Sequence, residues 1–383
     1  MTRNETKNKP PSQIKPPRWK TRDIFMNSDA KQFLFRLLNT PSPTGFEVEG
    51  QKVWMNYISQ FADTVENDAY GNAWATREGR GSSARIMIEA HADEIGFMVH
   101  YISKDGFVYL KQVGGIDRTI ARGKRLKVMG DNGSVLGVIG NTAIHLRDKD
   151  ADKAPEVHEL FVDVGAQSRE EVASRGIRVG HPAVYTDTAE ELIPGRIVGR
   201  AIDNRIGGFV LSQVLTNLAT LEERPAATVQ VVNTVQEEIG GAGAKMTSYR
   251  LEPNVAIVLD VTHATDSPGI DKNKHGAVKL GGGPSLTHGT ANHPLIVKRL
   301  ISLAKKLSIP IQHESSSRST GTDTDSVYPS KSGIPSALLS IPLRYMHSTV
   351  EMVDFTDIER CIELLTHFTH SVETADEFVP KLM

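Results

Sequence analysis

Six polar residues stand where apolar runs stop. His91, with Asp93 two residues on, follows Arg85-Ile86-Met87-Ile88, and Asp203 closes Gly199-Arg200-Ala201-Ile202. Glu237-Glu238 follow the run Val229–Val235 and precede Gly240-Gly241. Asp260 ends Ala256-Ile257-Val258-Leu259, and His347 comes after Ser336–Ile341 and a Pro342 break. Open α/β sheets place their ligands at the carboxyl ends of strands, so these residues are the candidates for chemistry.

Each residue alone has an ordinary reading. His91 could be a structural histidine, Asp203 a helix N-cap, Asp260 a turn residue and the Glu pair a solvated strand end. Together they suggest more. In an extended segment residues i and i+2 point the same way, so Asp93 could accept the second N–H of His91 and raise its basicity as a ligand. Of Glu237 and Glu238, one could bind a cation while the other handles a proton. Two His, two Asp and two Glu form a donor set that suits a pair of zinc-like ions, with a carboxylate free to act as general base. The single cysteine, Cys361, excludes a Cys-built zinc site and an internal disulfide.

The elements that must position these residues are α/β. Helices are expected over Ser28–Thr40, with Phe33, Leu34, Leu37 and Leu38 on one face, and over Val48–Phe61. From Ile95 to Asp187 short β-rich runs take over: Gly96–Ser103, Phe107–Val113, Arg125–Met129, Val135–Ile139 and Leu160–Val164. Asp105-Gly106 and Asn132-Gly133 are hairpin signals between them, and Ser168 with Glu171 is a capping box for one short helix. This block reads as a small β-barrel or sandwich. Beyond Asp187 strands and helices alternate, ending in a helix that starts at Thr356-Asp357-Ile358-Glu359. Such alternation puts helices on both faces of a sheet, with the β-rich block as an insert.

The chain of 383 residues has a net charge of −2, 39% hydrophobic and 23% charged residues. That balance gives no basic field for nucleic acid and no acidic excess for disorder. No apolar run is long enough to span a membrane, and no secretory signal is visible, so a cytoplasmic protein is expected. Residues 1–23 differ: seven basic residues against two acidic ones, broken by Pro10, Pro11, Pro16 and Pro17, read as a flexible basic arm.

Five segments carry a resemblance: His91-Ala92-Asp93-Glu94-Ile95-Gly96-Phe97, Gly199-Arg200-Ala201-Ile202-Asp203-Asn204-Arg205, Val235-Gln236-Glu237-Glu238-Ile239-Gly240, Leu259-Asp260-Val261-Thr262 and Arg344-Tyr345-Met346-His347-Ser348. In this order and context the sequence resembles the glutamyl aminopeptidase and tetrahedral aminopeptidase group, metallopeptidase family forty-two, whose members have also been called cellulase or endoglucanase M.

The resemblance implies an α/β fold, a mixed-sheet three-layer zinc-peptidase domain of the phosphorylase/hydrolase-like type, in segments 24–94 and 188–383. It implies a β-barrel dimerisation domain at 95–187 and dimers that assemble into dodecamers. It implies two divalent metal ions per subunit, zinc first, with cobalt or manganese as alternatives. His91 and Asp260 would bind one ion, Glu238 and His347 the other, and Asp203 would bridge. Glu237 would be the general base and Asp93 the orienter of His91. Gly321-Thr322-Asp323-Thr324-Asp325 resembles a segment near the substrate, with Thr322 and Asp323 lining the pocket or meeting the substrate's amino end. A cis peptide is implied at Asp203–Asn204, where many relatives carry Asp at the second position. The expected substrates are peptides with a free N-terminus. A metal-dependent deacylase, a glycanase and an idle binding protein are the rival readings.

Overall fold

The computed structural model describes residues 28–81, 83–146 and 153–382; the basic arm expected at 1–23 lies outside them. The chain opens with α1 (Ser28–Asn39), α2 (Val48–Ile58), β1 (Thr64–Asn67), β2 (Ala73–Arg77) and β3 (Arg85–His91). Helix α1 buries Phe33, Leu34, Leu37 and Leu38 and stops before Pro41, which disfavours helical backbone in the residue ahead of it.

Six strands follow: β4 (Gly96–Ile102), β5 (Phe107–Val113), β6 (Arg125–Gly130), β7 (Gly133–Ile139), β8 (Phe161–Asp163) and, after helix α3 (Arg169–Ser174), β9 (Pro182–Tyr185). They close into a barrel in the order β4-β5-β8-β7-β6-β9. Alternate residues such as Phe97, Val99, Val108, Leu110, Leu126 and Val128 point inward and make a core of their own. The two expected hairpin glycines, Gly106 and Gly133, have φ of +84° and +108°, which a side chain would resist. Ser168 caps α3 by accepting the main-chain N–H of Glu171.

The remaining elements are β10 (Glu190–Ile193), β11 (Arg196–Gly199), α4 (Ile202–Thr220), β12 (Thr228–Thr234), α5 (Ala242–Leu251), β13 (Val255–His263), α6 (Lys272–His275), β14 (Ser285–Gly289), α7 (Pro294–Leu307), β15 (Gln312–Ser316), α8 (Thr324–Val327), β16 (Ser336–Leu343), β17 (Glu351–Asp354) and α9 (Phe355–His370). An eight-stranded mixed sheet runs β1-β2-β12-β3-β13-β16-β14-β15. Its centre, β12-β3-β13-β16, is parallel, whereas β2 and β14 join antiparallel. The central strands are apolar on both faces, as parallel strands covered by helices must be. Ile86 and Ile88 face a core shared with α1, α4, α7 and α9. Met87, Val232, Val258 and Leu338 face the opposite core with Ala244 of α5 and Val327 of α8. The result is a three-layer α/β sandwich beside a closed six-stranded barrel.

Helix α4 lies at the centre and is buried on nearly every side. At Gly207 an added Cβ would come within 2.7 Å of Ala90 Cβ on β3, so glycine is what lets helix and sheet approach. The Trp54 indole donates to the carbonyl of Gly208 at 2.9 Å and ties α2 to the same helix. A third, small sheet, β10-β11-β17, has no forerunner in the sequence reading. It sets Gly199 at the end of β11 opposite Glu351 at the start of β17. Among the described residues no helix is long and apolar enough to cross a membrane.

Candidate metal centre

The carboxyl ends of the parallel strands converge on one cleft of about 680 Å³. His91 is the last residue of β3 and pairs in register with Thr234, the last of β12. Glu237 and Glu238 follow three and four residues later, in a turn where Gln236 takes φ +61°. Asp260 lies within β13, Asp203 enters at the start of α4, and His347 sits just past β16. Sequence separations of more than 100 residues thus collapse into one cluster.

Asp203 is its hub. His91 Nε2 lies 3.2 Å from Asp203 Oδ1 and 3.7 Å from Asp260 Oδ1. His347 Nε2 lies 3.4 Å from Asp203 Oδ2 and 3.4 Å from Glu238 Oε2. Two groups result, His91/Asp203/Asp260 and Asp203/Glu238/His347, each with its ligand atoms within 4.8 Å of one another. Glu237 Oε2 stands 3.9 Å from His91 Nε2 and lines the same cleft.

Asp93 supports the cluster from behind. Its Oδ1 faces His91 Nδ1 at 3.4 Å and accepts the main-chain N–H of Glu237 at 3.0 Å. Its Oδ2 accepts from the main-chain N–H of Glu238 at 3.2 Å and from the Thr44 hydroxyl at 2.8 Å. Every partner is a donor, so this buried carboxylate is fully used.

The electrostatics show what the cluster wants. Five carboxylates face two imidazoles in a buried space. Burial opposes charge on His91, yet Asp203, Asp260, Asp93 and Glu237 raise its pKa well above the ordinary value. Burial likewise opposes charge on His347, but Asp203 and Glu238 push it up to about 11. Burial raises Glu237 to about 9 and Glu238 to about 7, and it raises Asp260 as well. Asp203, also penalised by burial, is held well below the usual carboxylate range by His347 and His91. Such a set must balance its charge with protons or with cations. Glu238 Oε1 is buried in the cluster without a hydrogen-bond partner. Imidazole nitrogen and carboxylate oxygen in overlapping triads fit divalent cations of the zinc type.

The peptide Asp203–Asn204 is cis, as the resemblance implied. Asn204 uses both halves of its amide: Nδ2 donates to the Leu259 carbonyl at 2.8 Å and Oδ1 accepts from the Gly207 N–H at 3.1 Å. The first of these bonds needs a donor, which an ionised aspartate lacks. Of the two expected substrate residues, Thr322 lines the cleft, with Gly321 and Asp325. Asp323 does not. It is 1% exposed behind the wall, where its Oδ2 accepts from the Thr234 hydroxyl at 2.9 Å. The same hydroxyl lies 2.6 Å from Glu89, another buried acid.

The sequence reading passed over Glu351, Thr44 and Glu94. Glu94 pairs with Arg200 and, at 2.7 Å, with Arg205, and accepts from the Ser42 N–H at 2.9 Å, fastening the chain around the site. Its signal was faint: an acid directly after His91-Ala92-Asp93, with two arginines flanking Asp203.

The family description M42 glutamyl aminopeptidase matches residues 71–364. The chain belongs to that family. It is an aminopeptidase, a hydrolase of peptide bonds. It is 32% identical over 352 residues to the lysyl aminopeptidase of Pyrococcus furiosus, covering 91% of this chain and 99% of that one. Among solved structures, the TET aminopeptidase of a marine sediment Thaumarchaeota archaeon is 32% identical with a TM-score of 0.87, covering 92% and 99% of the two chains. The TET1 peptidase of Pyrococcus horikoshii, which can assemble into a tetrahedron or a large octahedral shell, is 29% identical with a TM-score of 0.79 over 90% and 100%. The M42 match spans both candidate cation groups, the Glu237 turn and the whole barrel.

Proposed function

We propose that this aminopeptidase removes N-terminal residues from peptides with two divalent cations per subunit. His91, Asp203 and Asp260 hold one cation; Asp203, Glu238 and His347 hold the other. Zinc suits these donors best, with cobalt or manganese as substitutes. Bound there, the pair supplies Lewis-acid polarisation and lowers the pKa of water at the site.

The side chains do the rest. Glu237 takes a proton from the attacking water and returns it to the leaving amine, the work of a general base. Asp93 fixes the His91 ring and, through the Glu237 N–H, the base itself. The anionic cleft receives the α-ammonium group of the substrate, which confines cleavage to the first residue. Thr322 contacts the substrate from the wall.

The observation that carries this reading is the division of Asp203, one oxygen toward His91 and the other toward His347. A glycanase would instead need two carboxylates acting on a glycosidic bond, with no use for the two histidines. Stripping cations and assaying aminoacyl-p-nitroanilides tests the reading. Activity is expected to vanish and to return with zinc, cobalt or manganese; activity that survives full removal contradicts it.

In the same reading, segments 24–94 and 188–383 carry the chemistry, and segment 95–187 carries the contacts of a homo-oligomer, with dimers building a dodecamer. The exposed Leu136, Val138, Ile144 and Leu146 of this segment support it, as does the assembly stated for the TET1 peptidase.

A further inference from the structure

Glu351 is 2% exposed, and its two oxygens tie the start of α4 to the turn just before β17. Oε2 accepts the main-chain N–H of Ile202 at 2.8 Å and of Asp203 at 3.1 Å. Oε1 accepts the main-chain N–H of His347 at 2.8 Å. One carboxylate therefore anchors the backbone of the shared ligand and of a ligand that belongs to the second group alone.

His347 needs such an anchor. It has φ +61°, and Tyr345 two residues earlier has φ +60°. Side chains with a Cβ rarely adopt this left-handed backbone, so the surroundings must hold it. The ring is confined from the other side by the barrel: a Cβ added at Gly115 would lie 2.9 Å from His347 Nδ1. The group His91/Asp203/Asp260 has its own supports. Asp93 backs His91, and Asp260 Oδ1 accepts the N–H of Val261 at 2.8 Å. Asp203 is shared, but only the second group takes two of its three ligands from backbone that Glu351 holds.

We infer that Glu351 is the positioning residue of the Asp203/Glu238/His347 group, weighing more on the affinity of the second cation than on that of the first. This rests on the two-cation reading. Glu351 touches neither substrate nor reacting atoms; it acts through the main chain of two ligands.

The test uses the full chain, wild type, Glu351→Gln and Glu351→Asp. Each is stripped of cations and titrated with zinc by calorimetry, with bound metal counted by atomic spectroscopy and folding followed by circular dichroism. Loss of a support behind a ligand typically costs about 10–100-fold in metal affinity. The expected result is a second-site affinity at least about tenfold weaker in Glu351→Gln, a first-site affinity within about threefold of wild type, and partial recovery in Glu351→Asp, which keeps the charge. Equal losses at both sites would make Glu351 a general prop of the fold and overturn the inference, as would unchanged affinity at both. If Glu351→Gln does not fold, Glu351→Asp is judged by the same comparison of sites. A wild-type protein that binds one cation only would instead overturn the two-cation reading.

Discussion

Asp93 stands directly behind His91, its Oδ1 3.4 Å from the ring Nδ1, and the same oxygen accepts the N–H of Glu237 at 3.0 Å. One buried carboxylate thus sets the ring of a proposed ligand and the backbone of the proposed base. Asp93→Asn puts an amide there, which can accept at one end only and donates at the other. Cation affinity is expected to fall about 10–100-fold, with kcat lower even at saturating cation because Glu237 is no longer fixed. Calorimetric affinity and kcat measured on the same preparation check this; a loss of affinity alone would free Asp93 from any role in placing the base.

Glu237→Gln keeps the shape of the side chain and removes the proton acceptor. Metal content is expected to stay at the wild-type level while kcat falls about 10²–10⁴-fold. Atomic spectroscopy and steady-state kinetics decide it. Near-normal kcat at normal metal content would take the role of base away from Glu237.

Much of this site was legible because apolar strands stop abruptly. Ile86-Met87-Ile88 before His91 marks a buried strand near its end, and Ile257-Val258-Leu259 before Asp260 marks a buried strand, although β13 runs on to His263; a charged residue after such a run invites a use. Glu351 carried no such mark. It opens a four-residue strand, and although His347 is only four residues away, its partners Ile202 and Asp203 are joined to it only by folding. Strand β15 was invisible for a related reason: Gln312-His313-Glu314-Ser315-Ser316 has no apolar alternation and pairs at the sheet edge. Asp323 is expected at the pocket because Gly321-Thr322-Asp323-Thr324-Asp325 resembles a family segment near the substrate. Only the fold shows that its neighbour Thr322 takes the wall and Asp323 turns inward.

Stability carries a pH signature away from the cleft. Burial in α9, helped by His370 and Lys306, lowers the pKa of His367 to about 4. The unfolded chain takes up this proton below about 6.5, so between pH 6.5 and 4 the unfolded state binds more protons than the native state. Stability then rises with pH, and it is lost as pH falls through that window. The contribution is about 1–3 kcal/mol. His367→Gln is expected to flatten the dependence in denaturant melts between pH 4 and 6.5; an unchanged slope would assign it to other groups.

The barrel should carry assembly more than chemistry. Leu136 and Val138 lie on β7 with 59% and 43% exposure, and neither lines the cleft. Leu136→Asp with Val138→Asp is expected to shift the particle to smaller species in analytical ultracentrifugation while zinc content per subunit holds. A wild-type chain that sediments as a monomer, or a double variant that assembles normally, removes these two side chains from the interface.

In the proposed reading, two cations sharing Asp203 make the active enzyme. The decisive measurement is a titration of apo-enzyme with zinc, with hydrolysis of an aminoacyl-p-nitroanilide followed at each step. Little activity is expected at one equivalent per subunit, with a rise to a plateau at two. Full activity at one equivalent, or hydrolysis unaffected by complete removal of cations, would contradict it.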